Sequence, residues 1–334
     1  MKREAFFDNA KFIVITLVVF GHVIQPLTVD STAMRTLYEW IYLFHMPAII
    51  LVSGFFAKGH YSWKYLWALS RKLLIPYLLF QKVYTSYFYF TTSAGWDTPM
   101  FEPHWSLWFL LSLFSWHILL IGFKHIPARF GIPLAFVMGI LIGYVDPIGH
   151  TYSLSRTFVF FPFFLIGYWL TKDQLFLVKT TIARRVSLGL FVLAFVLVYL
   201  LPEIPVGWLF GSSSYAALDV GLSGGIIRVI QYMVMLVMVF SLYAWIPRKQ
   251  FIWTNLGEQT IYVYLLHGLF VQFFRQYEVL QANTFFDLVI IVAISLGIVL
   301  LLSSKPIFIS FQPIIETKTT AIKAHMEQIN SNRA

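Results

Sequence analysis

The sequence predicts an all-α fold: a polytopic membrane protein with about ten transmembrane helices and both termini in the cytoplasm. Three observations carry that expectation. Of 334 residues, 59% are hydrophobic and only 12% charged, where a soluble domain carries about 25% charged residues. Apolar runs of roughly 17 to 22 residues, long enough to cross a hydrocarbon core of about 30 Å, recur along the chain. Arg35, Lys82, Arg156, Arg228 and Arg275 excepted, the 24 basic residues fall at the termini and in alternate loops that share one side, as the positive-inside rule requires of a cytoplasmic face. The same asymmetry accounts for the net charge of +9, so nucleic acid is not expected as a partner.

The first run, 11–28, follows Lys2, Arg3 and Lys11. Lys2 and Arg3 resemble the basic end of a signal peptide, but the apolar stretch continues to about Leu27 and Ser31-Thr32-Ala33 is a weak cleavage site, so the segment is read as retained. The second run is 38–57. The third, 73–92, follows Lys58, Lys64, Arg71 and Lys72 and carries Lys82 in its middle. The rest are 105–123, 132–148, 154–171, 186–201, 226–246, 260–275 and 285–303, giving one domain over 1–334 with a short cytoplasmic tail from about 304. Two outer connections are longer. One, 92–104, is acidic through Asp97 and Glu102; the other, 202–225, holds Trp208, Ser212, Ser213, Ser214, Tyr215 and Asp219. Aromatic and hydroxyl groups mixed with glycine suit a sugar, and an interfacial loop anchored by tryptophan has the same composition.

Zero cysteines exclude disulfides, thiolate metal sites and a thiol nucleophile. Histidines are therefore the main candidates for chemistry near neutral pH. Lys11 and His22 are eleven positions apart, about 20° beyond three full helical turns, so they share one face roughly 16 Å apart. Gln25 lies one turn beyond His22 on that face. His45, about 10 Å below the outer end of the second run, reaches a depth similar to that of His22. An ionisable group inside a span costs roughly 2.5–3.5 kcal/mol on insertion scales, which points to a role; a hydrogen bond to a neighbouring helix is the structural alternative. Lys11 is a snorkelling interface residue or a functional one, and Asp8 caps the helix or belongs with Lys11. Arg71 and Lys72, with Pro76 after them, anchor the inner end of the third run or clamp a polyanion. Lys82 has no carboxylate expected at its depth. His267 adds a third imidazole near mid-membrane, and Trp108 opens the fourth run. No Walker loop, GxGxxG, HExxH or GxSxG is present, so nucleotide-hydrolysing, dinucleotide-binding, zinc-protease and serine-hydrolase chemistry lack support.

Taken in order, Asp8-x-x-Lys11 with ten residues before His22, Phe44-His45-Met46-Pro47 leading to Ser53-Gly54-Phe55, Arg71-Lys72 before Pro76, Trp108-Phe109-Leu110 and Tyr264-x-x-His267 resemble the membrane-bound acyltransferase-3 family. The resemblance covers nearly the whole chain and is closest to the fucose 4-O-acetylase-like branch. It implies O-acylation of an extracytoplasmic or lipid-linked carbohydrate, with acyl-CoA (acetyl-CoA) as the cytoplasmic donor and no metal. It places the active site at Lys11 and His22, Lys11 standing where arginine is common. His22 is the expected general base, His45 orients acceptor or base, and Arg71 and Lys72 hold CoA phosphates, while Asp8, Ser53, Lys82, Trp108 and His267 are further candidates. A bacterial cytoplasmic membrane, multi-pass, follows, with the bilayer and other cell-envelope polysaccharide enzymes as neighbours. A transporter or flippase for a lipid-linked sugar or small anion, using Lys82 and the midplane histidines, is the alternative from another class.

Overall fold

The computed structural model describes residues 4–59, 61–92, 95–96, 99–146, 153–320 and 322–323; Lys2, Arg3, Asp97 and Arg333 lie outside the described residues. Every regular element among the described residues is helical. In chain order they are α1 (Ala5–Ile24), α2 (Thr32–Tyr42), α3 (His45–Phe55), α4 (Trp63–Thr91), α5 (Trp108–Phe123), α6 (Ala128–Leu141) and α7 (Leu154–Trp169). There follow α8 (Lys172–Phe176), α9 (Thr181–Leu200), α10 (Val206–Phe210), α11 (Gly224–Trp245), α12 (Thr260–Gln276), α13 (Phe285–Leu302) and α14 (Lys305–Ile315), with short 3-10 turns between some of them.

Most of the ten apolar runs fall on a single one of these helices; the second, 38–57, is divided between α2 and α3. By length and composition, among the described residues, six segments can cross a membrane: Ala5–Thr28, Thr32–Phe55, Trp105–Phe123, Thr181–Leu200, Gly221–Trp245 and Phe285–Leu302. The pair Leu154–Trp169 and Lys172–Lys179, bent by 104°, makes a seventh if it is one span. The expected ten is thus six or seven by this measure, and the remaining runs show why. α4 has 29 residues but carries Lys64, Arg71, Lys72 and Lys82. α12 has 17 residues, about 25 Å at 1.5 Å each, and Ala128–Tyr144 is likewise a shorter apolar helix.

The second run departs from the single helix expected of it. It starts at Thr32, where the Ser31 side chain accepts from the Met34 amide at 3.4 Å, and it breaks at Leu43 and Phe44, the latter with φ −139° and ψ −25°. Pro47 is the cause: it has no N–H to give, and its ring clashes with the carbonyl four residues back, at Leu43. The ladder of α2 therefore ends there and α3 restarts with Pro47 in its first turn, which puts His45 at a helix start.

α1 runs through the interior against α2, α3, α12 and α13, burying Phe6, Ala10, Val14, Val19 and Ile24 completely. Asn9, also fully buried, donates to the Pro247 and Lys249 carbonyls at 2.9 Å each and accepts from Thr254 Oγ1 at 2.7 Å, so this buried amide is fully used. A second apolar core lies among α5, α6, α7 and α11. The two cores meet where α3 crosses α7. A Cβ on Gly54 would sit 2.0 Å from the Phe164 carbonyl oxygen, and one on Gly167 2.0 Å from that of Leu51. Reciprocal glycines thus let two backbones touch, the small-residue packing of helices in lipid. α9 by contrast turns Leu188, Val192, Leu193 and Val196 outward, as a lipid-facing helix does.

Candidate functional site

The last turn of α1 presents His22 to the start of a buried cluster. His22 Nδ1 lies 3.1 Å from the Tyr42 hydroxyl of α2. The Trp105 ring is 4.3 Å and the His267 ring of α12 is 5.5 Å from the imidazole, centroid to centroid, and Trp105 and His267 lie 5.2 Å apart. His45 packs edge-on against Tyr42 at 4.4 Å, so Tyr42 stands between the two rings that depth alone had paired. His267 is the imidazole that faces His22 directly.

Two of these rings have fixed tautomers. His45 Nδ1 is 2.9 Å from the Ile41 carbonyl oxygen and His267 Nδ1 is 2.9 Å from that of Val263. A carbonyl only accepts, so each Nδ1 carries the proton and each Nε2 keeps a lone pair. The Nε2 of His267 is buried without a hydrogen-bond partner.

Trp105 reaches the cluster because α4 and the outer loop are latched together. Gln81, buried in α4, accepts from the His104 amide at 2.9 Å and donates to the Glu102 carbonyl at 2.8 Å, while the Tyr77 hydroxyl donates to the Met100 carbonyl at 2.7 Å. Thr85 Oγ1 gives its proton to the Gln81 carbonyl, so it accepts from His104 Nε2 at 3.0 Å. Partial burial holds the His104 imidazole below its ordinary pKa of 6.5, which keeps it neutral near pH 7. The next residue, Trp105, has φ +43°, a left-handed conformation rare for a bulky side chain. Gly268 completes the fit, since a Cβ there would lie 2.1 Å from the Tyr84 hydroxyl and 2.5 Å from the Trp105 ring.

Arg275, in the last turn of α12, donates through Nη2 to Gln25 Oε1 and holds its guanidinium 5.6 Å from the Trp105 ring centroid, a cation–π contact. Tyr42, Trp105 and Arg275 are the members of the cluster that sequence reasoning passed over. The sequence assigns no role to Tyr42 or Trp105 and counts Arg275 only among the basic residues off the cytoplasmic side. The available signals were Tyr42 one turn before His45 and an arginine ending the helix that carries His267.

The other expected residues lie elsewhere. Lys11 Nζ is 2.7 Å from Asp8 Oδ1, with the lysine partly and the aspartate almost wholly buried, at the far end of α1 from His22. Arg71 donates to Thr317 Oγ1 at 3.1 Å, and Lys72 beside it is exposed. Lys82 is also exposed, on the outer surface of α4. Ser53 donates to the Ile49 carbonyl within α3. Trp108 stacks on Phe160 at 5.6 Å with the Arg156 guanidinium 5.2 Å from its ring. Among the described residues no three His, Asp or Glu side chains are placed to hold a metal ion.

The helices and this cluster define a multi-pass membrane protein in which three imidazoles, His22, His45 and His267, meet in one buried cluster. The chain belongs to the acyltransferase-3 family: the family model, described as an acyltransferase domain, matches residues 4–304. It is also similar to the nodulation protein NolL of Mesorhizobium japonicum, 40% identical over 60 residues, 17% of this chain and 16% of that protein. The NolL of Sinorhizobium fredii is 28% identical over 186 residues, 50% of this chain and 48% of that protein. The chain thus spans half or less of the curated relatives it matches. No solved structure matches.

Proposed function

We propose that this protein is an O-acyltransferase of the bacterial cytoplasmic membrane, moving an acyl group, acetyl in the first instance, from cytoplasmic acyl-CoA to a hydroxyl of an extracytoplasmic or lipid-linked carbohydrate. Ten crossings with both termini on the CoA side complete the reading, and membership of the fucose 4-O-acetylase-like branch is part of the proposal. The observation that carries it is the meeting of His22, Tyr42, Trp105 and His267 in one buried cluster, within a chain of the acyltransferase family.

In this scheme His22 Nδ1–H donates to the Tyr42 oxygen, which leaves the Nε2 lone pair free. Nε2 takes the proton of the acceptor hydroxyl as its oxygen attacks the thioester carbon. The C–S bond then breaks, and the departing CoA thiolate recovers that proton from His22. Direct transfer suits a chain without cysteine. His267 and His45, each with a fixed Nε2 acceptor, orient the hydroxyl and the Tyr42 ring. Arg71 and Lys72 hold the CoA phosphates, and Lys11, positioned by Asp8, meets the CoA arm at the inner end of α1. Ser53, Lys82 and Trp108 have no part in these steps.

Membranes supplied with radiolabelled acetyl-CoA are expected to pass label to envelope carbohydrate. General-base assistance is worth about 10²–10⁴-fold, so His22→Ala is expected to lower incorporation by that factor at unchanged protein level. Near-normal incorporation by the variant would refute the scheme.

A further inference from the structure

Beside the imidazole cluster lies a groove of about 530 Å³ between the end of α1 with the turn after it and the end of α12 with the loop after it. That volume is in the range of small-molecule sites, roughly 300–1,000 Å³. Its position follows from helical register. Pro26 stands one turn beyond His22, and Val271 one turn beyond His267, so the groove continues outward from the imidazole pair. Arg275 belongs to both places: it lines the groove while bonding Gln25 and covering Trp105.

The groove's chemistry differs from what a phosphorylated donor needs. Asp30, Glu278, Gln281 and Asn283 face it, with Arg275 the one cation among its lining residues. Two carboxylates against one guanidinium, itself engaged with Gln25, repel a polyanion such as CoA. Carboxylates and amides accept and donate to hydroxyl groups, and Leu27 and Phe274 supply apolar wall for the C–H face of a sugar ring.

We propose that this groove is the acceptor-binding cleft, that it selects an uncharged polyhydroxylated segment, and that the Arg275–Gln25 contact is a clasp which opens to admit one acceptor hydroxyl to His22. The proposal rests on the acyltransfer reading above. It separates the two substrates by charge, with the donor at the basic inner end and the acceptor at the carboxylate-lined outer one.

The natural chain contains no cysteine, so Asn283→Cys creates a single thiol on an exposed groove residue. Two membrane-impermeant methanethiosulfonates, one carrying trimethylammonium and one sulfonate, serve as probes. The cationic reagent is expected to react about tenfold faster than the anionic one, after correction for their rates on a free thiol. Full modification is expected to lower label transfer to envelope carbohydrate at least tenfold while leaving acyl-CoA retention by the purified protein unchanged. Gln25→Leu, which removes the clasp acceptor, is expected to raise acyl-CoA hydrolysis by water several-fold. Undiminished transfer after full modification overturns the cleft, faster reaction with the sulfonate overturns its selectivity, and unchanged hydrolysis in Gln25→Leu overturns the clasp. The unsubstituted protein, which has no thiol, treated with the same reagents is the reference: if it transfers no label, the acyltransfer reading fails and this proposal falls with it.

Discussion

At the scale of single residues, the chemistry depends on which nitrogen of His22 is free. In the proposed scheme its Nδ1–H donates to the Tyr42 oxygen across 3.1 Å, and a bond of this kind is worth about 1 kcal/mol net. Tyr42→Phe is therefore expected to lower the rate of acyl transfer about fivefold, with the affinity for acyl-CoA unaltered; a rate equal to wild type would remove Tyr42 from the mechanism. The face shared by Lys11, His22 and Gln25 was legible in the sequence because helical period alone specifies it. The partners of His22 were not, because Tyr42, Trp105 and Arg275 arrive from three other segments. Nothing in local spacing says which of 18 tyrosines or 11 tryptophans a given imidazole will meet.

Among the elements, α4 does most to shape the site without entering it. Its Gln81 and Thr85 fix the outer loop through His104, and the loop delivers Trp105. His104 has a lowered pKa in the folded protein, so between that value and about 6.5 the unfolded chain binds more protons. Stability from this latch is complete above about pH 6.5 and is lost as pH falls through the window. Melting temperature in detergent should drop on acidification below pH 6.5, and His104→Gln, which keeps a side-chain donor but cannot titrate, should flatten that dependence. An equally steep acid drop in the variant would assign the effect to other groups. The apolar runs located helical segments, but the second run, 38–57, is two helices, α2 and α3. The break before His45 was also available in principle, from Pro47, but a hydropathy window averages over it.

For the whole molecule, the crossing of α3 and α7 matters most, because it joins the two apolar cores. At Gly54 and Gly167 the obstacle to any side chain is a backbone carbonyl, which cannot swing aside as a flexible side chain can. Gly167→Ala is expected to destabilise by at least the roughly 1–3 kcal/mol typical of overpacking, seen as a lower melting temperature and less protein in the membrane; an unchanged melting temperature would show that the helices separate freely. The number of crossings was the least legible feature of the sequence. Charge along α4 and the shortness of α12 and Ala128–Tyr144 leave these runs short of the length or composition of a clear span. One consequence of the fixed tautomers reaches beyond the reaction. A proton wire through imidazole needs entry at one ring nitrogen and exit at the other, and in His45 and His267 the second nitrogen is tied to a carbonyl one turn back. Neither His45 nor His267 can therefore pass a proton from one ring nitrogen to the other while that bond holds.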